Sequence, residues 1–452
     1  MTQQDKQAMP SSAPNLVGIA RVGAVAAAAT HLANTASASA QDSNPTVVVA
    51  LYLRGGADAL TLCVPEDEPN YHAKRNKTRV YHHAASSSSV PAGNGKGILI
   101  EPAQMGPPNN STILRTGFSV PPAFLPIKSL YDAGKLAFVH GVGCVDSNRS
   151  HFTQQSNSET GEHDQASPRD GDGWLGRYLS STNARGDGSL RALAFNNFKI
   201  TSFNSAAAST PARGITPTLE PQTFDMPGGA DVRAHLTALY GSTSNAVSDA
   251  LSDDLGAIDK LKNVAWGPPS PNYPSSTLGS QFDRAFRVIR DDAHIELITI
   301  DYDNISGQRW DSHSAQGVFS GTMANLMADL SNTLVAFQAD VDTLEEKRVV
   351  VIVYSEFGRT LDENDGEGTD HGRGGIAMVM GNDVRTKQVF THPTDWRGLQ
   401  SAHLDPPMTG DLKQTVDIRD IQAEVLQKCL GASPNAIFPD STYSYTDWNL
   451  LS

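Results

Sequence analysis

The sequence predicts an α/β fold with a mostly parallel sheet and helices on both faces. Three observations point there. Several apolar runs are continuous rather than alternating, as strands buried on both faces read. Helical segments fall between several of those runs, the pattern of strand–helix–strand crossovers. The carboxyl ends of the runs carry Asp, His and Arg in quantity, and that edge is where open α/β sheets bind ligands.

Residues 1–40 precede the fold. They contain Lys6, a short apolar stretch over 22–30 and the string Ala36-Ser-Ala-Ser-Ala40 before Gln41. A charged start, an apolar middle and an A-x-A end describe an export signal. There is no twin-arginine pair, only Arg21, and a disordered Ala/Ser-rich leader is the competing reading. On the first reading the mature chain, 41–452, is periplasmic or secreted and forms a single α/β domain.

The run over 46–53 is the first strand, closed by Arg54-Gly55-Gly56. Further runs follow at 136–142, 295–301, 348–354 and 376–380. Between the third and fourth, Phe319, Met323, Leu326, Leu330, Leu334, Phe337, Val341 and Leu344 recur every three or four residues, one apolar stripe on a long helix. Residues 418–430 read as a late helix stopped at Gly431. Residues 72–120, rich in Ser, Asn, Gly and Pro, read as a surface excursion. Residues 201–290 combine Pro/Gly loops with a charged helical region and read as an inserted helical cap.

The chain has 452 residues, with 35 Lys and Arg against 49 Asp and Glu, a net charge of −14 that argues against a nucleic-acid partner. No apolar run reaches the ~18 residues that a spanning helix needs, so no integral membrane segment is expected. Cys63, Cys144 and Cys429 lie far apart with no C-x-x-C, which leaves one disulfide open and supports neither a disulfide scaffold nor a cysteine cluster for zinc. Oligomeric state is not legible.

The strand ends bring forward Asp58 after the first run, Arg149, Ser150 and His151 after the second, Asp311 and His313 after the third, and Glu356 and Arg359 after the fourth. Asp370 and His371 sit just before the fifth. Carboxylate oxygen and imidazole nitrogen together suit a divalent metal: Zn²⁺ or Mn²⁺ where imidazoles contribute, Mg²⁺ or Ca²⁺ where carboxylates act alone. Duller readings stand beside this one. Ser150 is placed to cap a helix, Asp58 to make a turn, and Glu356 with Arg359 to form an ion pair. His72, His82, His83, His294 and His392 read as exposed and receive no role.

The strings Leu53-Arg-Gly-Gly-Ala-Asp58, Arg149-Ser-His-Phe152, Asp172-Gly-Trp-Leu-Gly176, Trp310-Asp-Ser-His313, Ser355-Glu-Phe-Gly-Arg-Thr360 and Thr369-Asp-His-Gly372 occur in that order. Together they resemble domain-of-unknown-function family 1501, exported bacterial proteins, over about residues 46–440. That family in turn looks like a distant branch of the alkaline phosphatase-like superfamily, with metal ions at the strand ends. The resemblance implies one or two divalent ions held by Asp58, Asp311, His313, Glu356, His371 and Asp370. It also implies Ser150 as nucleophile, His151 as proton donor to the leaving group, and Arg149 with Arg359 on the substrate's oxygens. The superfamily's Asp-His pair falls on Glu356-Phe357, so one imidazole is missing. The sulfatase signature C-x-P-x-R is absent, since Cys144-Val-Asp-Ser-Asn-Arg149 has neither the proline nor the spacing. The expected function is metal-dependent hydrolysis of phosphate or sulfate esters, with a small-molecule or polysaccharide ester as substrate. The alternative is a non-catalytic cell-surface or carbohydrate-binding protein with a structural or vestigial metal.

Overall fold

The computed structural model describes residues 45–100, 117–145, 148–162, 172–182, 190–195, 201–203, 229–241, 246–291, 294–385, 388–392, 398–399, 404 and 410–452. The expected export signal over 1–40 lies outside the described residues, as do 101–116 of the excursion and 204–228 of the expected cap.

Eight strands form one sheet. They are β1 (Thr46–Leu53), β2 (Leu136–Gly143), β3 (Ala192–Phe195), β4 (Leu297–Tyr302), β5 (Arg348–Tyr354), β6 (Gly375–Gly381), β7 (Val389–Phe390) and β8 (Val416–Asp417). Their order is β7-β2-β6-β5-β1-β4-β3, with β8 also paired to β2. Every pairing is parallel except those of β6, which runs antiparallel to both β5 and β2. The fold is therefore α/β with a mostly parallel sheet, as the apolar runs predict. All eight residues of β1 are buried, because the strand is central and covered on both faces.

The helices that accompany the sheet include α1 (Leu125–Asp132), α2 (His151–Thr160), α3 (Trp174–Ser181), α4 (Thr277–Asp291), α5 (Thr322–Val341) and α6 (Ile418–Leu430). Alternation along β1 sends Val47, Val49 and Leu51 to a core shared with α1, α4 and α5, and Val48, Ala50 and Tyr52 to a core shared with α3 and α6. The predicted stripe on α5 is the buried one: Met323, Leu326, Leu330, Leu334 and Phe337 are each 0% exposed. Phe319 and Leu344 flank the helix and pack partly against the same core. Gly431 ends α6 at φ 70°, a left-handed position that glycine fills without strain.

Within the segment expected to form a cap, α4 lays Leu278, Phe282 and Val288 into the core beside α5. Helices Gly229–Tyr240 and Ala246–Asn263 are joined by an Arg233–Asp259 ion pair. Strands Ile98–Ile100 and Phe118–Val120 of the excursion make a small antiparallel sheet with Val64–Pro65, which precedes it. Cys63, Cys144 and Cys429 are all free and buried, so the disulfide left open by the sequence does not form. Among the described residues, no helix is long and apolar enough to cross a membrane.

Candidate metal centre

Strand direction decides what meets at the carboxyl edge. The loops leaving β1, β4 and β5 start there, and α2 begins a few residues beyond β2. Because β6 is antiparallel, its amino end lies at that same edge, with Gly375 opposite Val142. The segment before β6 therefore joins the group, and with it His371.

The loop after β1 passes tightly beneath the loop after β4. Gly55 has φ 125°, and a Cβ there would lie 2.6 Å from the Asp311 backbone nitrogen. No residue but glycine fits both the dihedral and the gap. Arg359 then locks the two loops together. It is 1% exposed, and its guanidinium donates to the carbonyls of Gly55, Gly56, Thr369 and Trp310 and to the Asp311 carboxylate.

Around Asp311 stand three imidazoles. His371 Nε2 is 3.2 Å and His313 Nε2 3.1 Å from Asp311 Oδ1, while His151 Nε2 is 3.4 Å from Oδ2. His313 Nε2 and His371 Nε2 face each other at 2.9 Å. The His151 and His371 rings meet edge-on at 4.3 Å, and Phe357 packs against both at 4.9 Å. Ligand atoms of His151, Asp311 and His371 all lie within 4.8 Å of one another.

The far side of each ring is held. His151 Nδ1 is 2.8 Å from Glu356 Oε1, His313 Nδ1 is 2.9 Å from Asp370 Oδ1, and His371 Nδ1 is 2.8 Å from the Arg149 carbonyl. An oxygen acceptor at Nδ1 fixes the proton there in the neutral ring and leaves the Nε2 lone pair free. Three Nε2 lone pairs and a carboxylate thus converge, with His151 Nε2 buried and lacking a hydrogen-bond partner.

Burial alone would lower the His151 pKa, but the Asp311 and Glu356 carboxylates push it up to about 9. Without an ion, the same carboxylates favour a second proton on the His151 ring, which a cation at Nε2 would have to displace. Burial would raise the Asp311 carboxyl, yet His151, His371 and Arg359 hold it far below the carboxylate range. Glu356 is lowered too, its burial outweighed by hydrogen bonds from His151 and Gln155.

Several residues sit otherwise than the sequence suggests. Asp58 is not brought into the group. Its carboxylate is 0% exposed and is gripped by Arg75 Nη1 at 2.5 Å and Nη2 at 3.0 Å, by Thr61 Oγ1 at 2.7 Å and by Gln316 Nε2 at 2.8 Å. A carboxylate with both oxygens so occupied has nothing left for a cation. Glu356 and Asp370 reach imidazole Nδ1 atoms rather than the centre of the cluster. Arg359 is buried and its Nε, Nη1 and Nη2 all donate within the protein, to four carbonyls and to Asp311, whose carboxylate it holds in place. Arg149 pairs with the buried Asp411 and adopts φ 62°, an uncommon conformation for a non-glycine residue, while its carbonyl accepts from His371. Ser150 occupies the N-cap position of α2, but its side chain makes no capping hydrogen bond. Phe152, the next residue but one, is 92% exposed.

Sequence reasoning missed Arg75, Gln155 and Gln316. None carries a local signal: Arg75 meets Asp58 from 17 residues away, inside a polar stretch.

With that geometry in view, the chain belongs to the family described as "Protein of unknown function (DUF1501)", whose profile matches residues 144–419. No curated protein matches the chain significantly. Among solved structures it is similar to the integral membrane lipooligosaccharide phosphoethanolamine transferase A (EptA) of Neisseria meningitidis, with 11% identity and a TM-score of 0.28 over 80% of this chain and 54% of that one. It thus spans about half the transferase's length. The PsFucS1 sulfatase of Pseudoalteromonas sp. shows 12% identity and a TM-score of 0.27, over 90% of this chain and 72% of the sulfatase. For the lipoteichoic acid synthase LtaP of Listeria monocytogenes the values are 8% and 0.26, over 82% and 74%.

Proposed function

We propose that the protein is a metal-dependent hydrolase of phosphate or sulfate esters, with its ion held by His151, Asp311 and His371. One observation carries this reading: imidazole Nε2 atoms converge on a carboxylate while an oxygen acceptor fixes the opposite nitrogen of each ring. That backing of ligating histidines is typical of metal sites, where it sets tautomer and ring orientation. The orphaned, buried Nε2 of His151 fits the same role. His151 also supplies the imidazole that Glu356-Phe357 lacks in the motif order. The donor set favours Zn²⁺ or another imidazole-binding ion over Mg²⁺ or Ca²⁺.

A divalent ion bound there supplies Lewis acidity toward an ester's non-bridging oxygen. Ser150 is the proposed nucleophile; its hydroxyl is not spent on capping, and it stands where the unpaired first-turn N–H groups of α2 favour an anion. His313, the most exposed of the three imidazoles at 45% for its side chain, moves a proton at Nε2 while Asp370 holds Nδ1. Export through residues 1–40 and substrate access shaped by 201–290 belong to the same proposal.

A second reading rests on the same His313. If its Nε2 is a fourth ligand, the site is closed, as structural zinc sites are, and the protein is a non-catalytic binder. Metal content and turnover of aryl phosphate and sulfate esters separate the two. On the enzyme reading, Ser150→Ala loses at least about 10³-fold in kcat with metal retained, and His313→Ala retains metal with an altered pH profile. Metal loss in His313→Ala with no turnover of any ester by wild type contradicts the hydrolase.

A further inference from the structure

A second set of ligand-type side chains joins the surface excursion to the segment just before it. Glu66 and Asp67 follow the strand Val64–Pro65, and His82 and His83 follow Tyr81, which bridges to Lys96. The Glu66 carboxylate is buried, at 1%, while the two rings are 34% and 38% exposed. His83 Nδ1 is 2.5 Å and His82 Nε2 3.9 Å from Glu66 Oε1, and His82 Nε2 is 3.0 Å from Asp67 Oδ1. Ligand atoms of Glu66, His82 and His83 all lie within 4.8 Å of one another.

Two features mark this as more than a chance cluster of polar groups. Adjacent side chains in extended chain point to opposite sides, yet the His82 and His83 rings stack at 4.5 Å and 27°, so both present nitrogen to the same carboxylates. The anchoring carboxylate is withdrawn from solvent, whereas a surface ion pair would leave it hydrated. Ligand bonds of ~2.0–2.2 Å in a tetrahedron set the donor atoms about 3.3 Å apart. The separations here straddle that value, so small side-chain rotations suffice.

We propose that Glu66, His82 and His83, with Asp67 as fourth donor, bind a second divalent ion of the zinc class. Two imidazoles disfavour Mg²⁺ and Ca²⁺. Four protein donors leave no open position, so the site is structural. It clips residues separated by 17 positions and pins the excursion to the segment that precedes it. Binding through Nε2 needs the Nδ1–H tautomer of His82, so the proton that Nε2 now shares with Asp67 is given up to solvent and Nδ1 takes one in its place. It also turns the Ala84 N–H, which donates to His82 Nδ1 at 3.0 Å, toward the solvent to which Ala84 is exposed.

The test uses the full chain, stripped by chelator, given Zn²⁺ alone and desalted. Zinc per chain is read by mass spectrometry in His371→Ala and in His371→Ala/His83→Ala. The expected result is about one equivalent in the first and none in the second, with Zn²⁺ slowing tryptic cleavage within 84–97 in the first alone. Glu66→Gln in the His371→Ala chain, a near-isosteric change that leaves both rings in place, is expected to repeat the loss. Equal zinc and equal protection in both chains overturn the proposal. A fall from two equivalents in the wild-type chain to one in His371→Ala reports the centre at the sheet edge, so the two sites fail separately.

Discussion

Glu356→Gln tests whether the carboxylate behind His151 orients a metal ligand. Glu356 Oε1 accepts from Gly55 N at 2.9 Å, His151 Nδ1 at 2.8 Å and Gln155 Nε2 at 3.1 Å. A glutamine with its carbonyl at that position keeps all of these acceptor contacts. Its amide nitrogen would replace Oε2, which lies 3.1 Å from Ser355 Oγ. That hydroxyl donates to the Leu53 carbonyl at 2.6 Å and accepts from Ala57 N at 2.9 Å, leaving one lone pair for the new N–H. The second amide N–H gains no acceptor at this fully buried position, a penalty of about 1–3 kcal/mol that should lower the melting temperature by several degrees without unfolding the chain. What it removes is the charge that raises the basicity of His151. Loss of such an outer carboxylate typically costs 10–100-fold in metal affinity, about 1.4–2.7 kcal/mol. The assay is competition for Zn²⁺ against a chromogenic chelator at neutral pH, in a His83→Ala background so that only this centre is read. An affinity within about twofold of the parent chain would refute the role given to Glu356.

Two further predictions concern stability. Arg75→Met strands the Asp58 carboxylate, both side chains being 0% exposed, and should cost about 3–5 kcal/mol in urea unfolding; a loss under about 1 kcal/mol would contradict the pairing. Burial outweighs the hydrogen bond to the Cys63 carbonyl and holds His140 at about 4, below its ordinary 6.5. The unfolded chain then binds the extra proton between those values, so stability rises with pH across this window and falls as pH drops from 6.5 toward 4. The loss is on the order of 3 kcal/mol, and His140→Gln should flatten it; an unchanged slope would show that His140 does not carry it.

The central fold was legible where the physics is local. The continuous apolar run of β1 and the three-and-four spacing of α5 need no distant partner to be recognised. The strands β3, β7 and β8 have four, two and two residues, and they are strands only because β4 and β2 pair with them. Nor does a sequence carry strand direction. That β6 runs antiparallel is a tertiary fact, and it is what brings His371 to the edge where Asp311 lies. At the site, Asp311, His313, His371 and His151 were legible as chemistry. The contacts of Glu356 and Asp370 were not, because a carboxylate facing an imidazole looks the same in sequence as one facing a cation. The placement of Asp58 was lost for a similar reason: its partner Arg75 reaches it across a fold that the intervening residues do not announce.

The most direct test of the account is anomalous diffraction from crystals grown with Zn²⁺. The account predicts a peak ~2.0–2.2 Å from His151 Nε2, His371 Nε2 and an Asp311 carboxylate oxygen. A peak bonded to Glu356 or Asp58 instead, or none within the ring of imidazoles at full zinc loading, would contradict it.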